Sequence, residues 1–248
     1  MPSAALDAAV DQVRAVFAGA SSPFEVGCSM CHPREWTALL RTPDAPIPAE
    51  AVEMYAQEVD DHFDDFAASM RRLLPDLVRQ LAAGGSRAAS GFGIRALGRV
   101  DWPAQPAHES AAVLGFFRAW WLDTLRSTEP LHPVDDVFQT CVTATRTVTP
   151  YLAAWAEQEP GGPAEAHLHE FLDHHHLDLV NEDEHIISWW MDHDRPKPLP
   201  EIITWVREHA GERIRAQGAA PDLQEKLDLL RLPVGEERWA AYEARFLT

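Results

Sequence analysis

Apolar side chains recur along this chain every three or four positions, the spacing of one face of an α-helix. Leu6, Val10, Val13 and Phe17 form the first such stripe, with Ser3 placed to cap it. Pro33 opens a short helix through Trp36, Leu39 and Leu40, and Pro48 opens another through Val52, Tyr55, Val59 and Phe63. Phe66, Met70, Leu73, Leu74, Leu77, Val78 and Leu81 make the strongest stripe. Pro75 falls inside it, so the pattern predicts a kink or two consecutive helices, with Gly84 and Gly85 as the stop. Residues 86–104 carry spaced Gly and Ser, and predict at most a short helix at Ile94 and Leu97.

Further stripes follow. Val113, Phe117, Trp120 and Trp121 mark a long helix, and Val134, Val137, Phe138 and Cys141 the next. Pro150 opens a short helix ending near Trp155, and Pro163 opens one through Leu168, Phe171, Leu172 and Leu179. The last stripes are Ile203, Val206 and Ala210, then Leu223, Leu227 and Leu230, then Trp239, Tyr242 and Phe246. No run alternates apolar and polar residues over strand length. The expectation is an all-α chain of about ten antiparallel helices in one domain, residues 1–248, as an irregular bundle or a HEAT-like stack of helical hairpins. "EPGGP", residues 159–163, is the place where two lobes would divide.

Charge narrows the partners. A net charge of −18 disfavours nucleic acid and anionic membrane, both of which need a basic face. No window approaches 18 consecutive apolar residues, so no membrane span is expected. The first residues carry Asp7, Asp11 and Arg14 without a basic start and apolar run, which does not read as a secretory signal. Three cysteines, an odd number, give no disulfide framework, and a reducing cytoplasm is the expected home.

Candidate chemistry gathers in four stretches. "VGCSMCHPREW" holds Cys28, Cys31 and His32. C-x-x-C-H is the spacing of covalent c-type haem, which needs an exported chain, and a redox pair needs a strand before it. Two thiolates two residues apart can grip one tetrahedral Zn²⁺, with His32 or a distant residue adding a ligand. The bland alternative is two small residues packing a helix start. "HLHEFLDHHHLDLVNEDEH" places His175 on the apolar stripe, as a core histidine, and His167, Glu170, His174 and Asp178 on one polar flank. "EVDDHFDDF" contains Asp60, Asp61 and Asp64, the D-D-x-x-D of Mg²⁺-dependent diphosphate chemistry, but without a second metal motif. Trp189 and Trp190 lie in an acidic segment where they would line a groove or join the core.

The segments "GCSMCHPREWTALLRTP", "MRRLLPDLVRQLAAG", "VLGFFRAWWLDTL", "VTPYLAAWAEQ" and "EERWAAYEARF" resemble, in that order, a group of uncharacterised bacterial helical proteins. That group often carries a denser cysteine cluster near its start; here it is reduced to Cys28 and Cys31. The resemblance implies a single all-α domain and brings no activity. The sequence reading is therefore a cytoplasmic, non-catalytic helical binding or adaptor protein for a protein or small-molecule partner. The alternative is a metal-binding protein or metalloenzyme using Cys28, Cys31 and His32, with zinc as the ion.

Overall fold

The computed structural model describes residues 2–181, 198–216 and 221–247. Among them the chain is helical, with no β-strand, which is the all-α class expected. No helix among them is long and apolar enough to cross a membrane. Contacts divide the chain into two compact units. The first comprises Met1–Thr124 and Pro130–Arg146, the second Leu125–Glu129 and Thr147–Thr248. Residues 159–163 lie inside the second unit.

In the first unit, α1 (Ala4–Val16) starts where Ser3 Oγ accepts the Leu6 amide at 3.3 Å. α2 (Arg34–Arg41) and α3 (Ala49–Ala56) each follow a proline. α4 (Phe66–Ala83) is capped by Asp65, whose side chain accepts the Ala68 amide at 3.0 Å. It is one continuous helix through Pro75, not two. Pro75 removes one rung of the backbone ladder, and packing compensates: α1, α2 and α3 all lie against α4. Arg72, on the turn before Pro75, is buried and donates to the carbonyls of Thr42 (3.0 Å) and Ala45. It thereby satisfies the chain where it leaves α2.

Residues 86–104 form three short 3₁₀ turns at Phe92–Ile94, Leu97–Arg99 and Trp102–Ala104, in place of a short helix. Gly91, Gly93 and Gly98 in eight residues disfavour a longer helix. Ile94, Leu97 and Trp102 are still buried, so the segment packs as core without regular structure. α5 (Ala107–Arg126) presents Val113, Phe116, Phe117, Trp120 and Trp121 to the interior. These residues spread around the helix rather than along one face, so it is covered by core on several sides. α6 (Val134–Thr145) meets it through Trp121 and Phe138, ring centroids 5.5 Å apart.

The second unit contains α7 (Thr149–Ala156), α8 (Pro163–Asn181), α9 (Leu199–Trp205), α10 (Gly211–Ala216), α11 (Pro221–Asp228) and α12 (Glu236–Phe246). Val206–Ala210 is a π-helical turn that joins α9 to α10. Trp155 is the aromatic hub, 5.4 Å from Phe171 and 5.9 Å from Trp205. Several buried polar groups are paired. Arg213 donates to the carbonyls of Trp155, Ala156 and Gln158 at the end of α7 and to buried Glu165. Arg238 holds the carbonyls of Leu232 and Val180. His175 is buried on α8 beside Asp178, Nδ1 to Oδ2 at 3.1 Å, as the core-histidine reading expects. His167, expected on a solvated flank, is also buried; its Nε2 donates to the Ser127 carbonyl at 2.7 Å.

One half-buried group works against folding at neutral pH. Burial, then the neighbouring Asp135, hold the Asp136 carboxyl above its ordinary range. A raised folded pKa favours folding below the unfolded value near 3.8 and costs stability as pH rises through the folded value. Asp136→Asn is therefore expected to raise the melting temperature at pH 7. The gain should vanish when the comparison is repeated below pH about 4.

Candidate metal centre

The loop that joins α1 to α2, residues 17–33, has no regular structure and would be loose but for one side chain. Glu25 is fully buried and accepts five hydrogen bonds. Oε1 takes the amides of Gly27 and Asp64, each at 3.0 Å. Oε2 takes the Ser69 hydroxyl at 2.7 Å, the Asp65 amide at 3.3 Å and the Ser22 hydroxyl at 3.4 Å. The carboxyl group thus ties the cysteine loop to residues 64–69, the start of α4. Asp64 reinforces the tie from the other side, accepting the amides of Val26 (2.8 Å) and Gly27 (3.2 Å). Those two amides hold its carboxyl below the usual range.

This clasp carries the thiols to a histidine thirty residues on. The Cys28 amide donates to the His62 carbonyl at 3.1 Å. Sγ of Cys28, Sγ of Cys31 and a ring nitrogen of His62 all lie within 4.8 Å of one another. The turn from Cys28 to Cys31 is closed by the Cys31 and His32 amides donating to the Cys28 carbonyl, at 3.2 and 2.8 Å. The Cys31 thiol and the amides of Met30 and Cys31 converge on Cys28 and pull its pKa down. The same thiol contact pushes Cys31 up, so Cys28 ionises first. Donors aimed at one sulfur are what a thiolate ligand needs around it.

Glu58 forms the rear of the site. Its Oε1 is 2.8 Å from His62 Nδ1, and its Oε2 is 3.4 Å from His32 Nε2. His32 is not gathered with the cysteines. Its Nδ1 accepts the Cys28 amide at 3.2 Å, which leaves the ring proton on Nε2, facing Glu58. The ring is wedged between Tyr55 and Phe63, with centroids 5.0 and 5.2 Å away, and its side chain is wholly buried. Burial lowers its pKa, against the pull of Glu58. The buried Nε2 of His32 and Nδ1 of His62 complete no hydrogen bond of proper geometry. Gly27 makes room for the ring: at φ +69°, a Cβ there would lie 2.8 Å from His32 Nδ1.

The other sequence candidates go elsewhere. Asp60 pairs with Arg99, Asp61 is exposed in the 3₁₀ turn Asp60–His62, and Asp64 caps the cysteine loop. Among the described residues these three carboxyls do not gather as one cation site. Trp189 and Trp190 lie outside the described residues. Glu25, Glu58 and His62 are the site residues that sequence reasoning passes over. The i, i+4 spacing of Glu58 and His62 is the one signal available for the latter pair.

Comparison with protein-family models, with curated proteins and with solved structures found no match.

Removing the clasp leaves buried donors without an acceptor, each worth about 1–3 kcal/mol. Glu25→Ala is expected to destabilise the protein by at least about 3 kcal/mol in chemical denaturation. Glu25→Gln, which keeps the shape and an oxygen acceptor, should lose less. Equal stability of Glu25→Ala and the parent would show that the loop is held by something else.

Proposed function

We propose that this is a metal-binding helical protein, and that a zinc-class ion held by Cys28, Cys31 and His62 closes its N-terminal loop. The observation that carries the reading is the mutual approach of two sulfurs and one imidazole nitrogen within 4.8 Å. Tetrahedral zinc, with bonds of about 2.3 Å to sulfur and 2.0–2.1 Å to nitrogen, needs those atoms about 3.6–3.8 Å apart. Soft thiolates with imidazole suit Zn²⁺ rather than Mg²⁺ or Ca²⁺. Glu58 and His32 serve behind the ligands, Glu58 orienting the His62 ring and His32 holding Glu58.

A second reading is favoured by a different observation. Phe24, Val26 and Met30 are 86%, 70% and 93% exposed, all on the cysteine loop. Side chains of this kind are what a non-catalytic binding or adaptor protein presents to a protein partner. The two readings are compatible: the ion orders the loop, and the loop makes the contact. A Phe24→Ser, Met30→Ser double variant should then keep its metal and lose its partner.

Metal content decides the first reading. Untagged protein, analysed for elements after dialysis, is expected to hold close to one zinc per chain. Cys28→Ser and His62→Ala should each lose it, whereas His32→Ala should keep the stoichiometry with affinity about 10–100-fold weaker. Metal-free parent protein, or full zinc retention in His62→Ala, would overturn the assignment.

A further inference from the structure

We infer that the second unit carries an anion site, independent of the metal centre, for a small soluble ligand bearing a phosphoryl group. The site is a shallow surface hollow, open to solvent, at the π-helical turn between α9 and α10. Its charged lining is Arg207, Arg215, Arg231 and Asp228. The chain as a whole has 39 acidic against 21 basic side chains, so three bases to one acid inverts its own ratio at this place. The floor is apolar, with buried Ile214 and Leu227.

The arrangement is built by the backbone. An ordinary helix through residues 206–210 would be narrower; the π turn adds a residue to the circuit, a distortion that recurs at functional sites. Gly211 follows at once. A Cβ on Gly211 would stand 3.3 Å from an Nη2 of Arg215, so the guanidinium lies close against the helix here. Arg215 Nε donates to the Gly211 carbonyl at 2.9 Å, which pins the group while its other N–H donors stay available. Arg231 is steadied by Asp228 at 3.7 Å. No ion pair engages Arg207 among the described residues, and it is exposed. Guanidinium forks match the oxygens of a phosphoryl group two at a time, and three of them balance its charge even after Asp228 is counted.

The test uses the full chain at constant ionic strength, with inorganic phosphate and phenyl phosphate as probes and chloride as the control. Phosphorus NMR line broadening and a rise in melting temperature are expected with both probes and not with chloride. The two probes should bind comparably, because the contacts are to the phosphoryl group they share. Arg207→Gln with Arg231→Gln should weaken binding by about tenfold or more, and the corresponding Lys pair by less, since charge stays and the forks go. Cys28→Ser should bind phosphate as the parent does, which separates this site from the metal centre. No broadening, an equal thermal shift in chloride, or undiminished binding by the Gln pair would each overturn the proposal.

Discussion

Five hydrogen bonds converge on the buried carboxyl group of Glu25, and the geometry of the cysteine loop follows from them. A loop of this length, left alone, loses too much conformational entropy to hold two thiols in place. Here its amides and the amides before α4 share one acceptor, so closing the loop and starting the helix become a single event. Burying a carboxyl group is expensive unless its hydrogen-bonding capacity is filled. Glu25 is filled, and the cost of breaking any part of the set falls on the rest.

From that clasp outward each contact narrows the next. Gly27, with no side chain, admits the His32 ring; the ring accepts the Cys28 amide; that amide also meets the His62 carbonyl. Glu58 then faces both imidazoles. The result is a layered site in which His32 is a support and His62 the member of the thiol cluster. The proposed metal reading draws on preorganisation of this kind, because side chains so held need little rearrangement to reach an ion.

The fold is largely legible in the sequence because burial of helices leaves a periodic trace. Ser3, Gly84 and the prolines before α2, α3 and α8 all mark helix boundaries where local chemistry dictates them. Pro75 does not divide α4 in two, since the tertiary packing of the helix outweighs the local cost of a missing amide. The site is half legible. Cys28 and Cys31 announce themselves by spacing; the structure gathers them with His62, and sets the adjacent His32 with Glu58 and His62. Nothing local marks a residue thirty positions away as a neighbour; only the clasp by Glu25 brings it there. Glu25 itself looks like an ordinary loop acid, because a buried acceptor leaves no periodic signature. The burial of His167 escapes the sequence for a related reason, since its carbonyl partner at Ser127 is forty residues distant.

Cobalt(II) titration of the metal-free protein, followed by optical absorption, tests the central claim most directly. A centre preorganised by Glu25 predicts a saturable, one-per-chain spectrum with intense thiolate-to-cobalt charge transfer and the strong visible bands of tetrahedral coordination. A weak, octahedral spectrum without sulfur charge transfer, or no saturation, would contradict it.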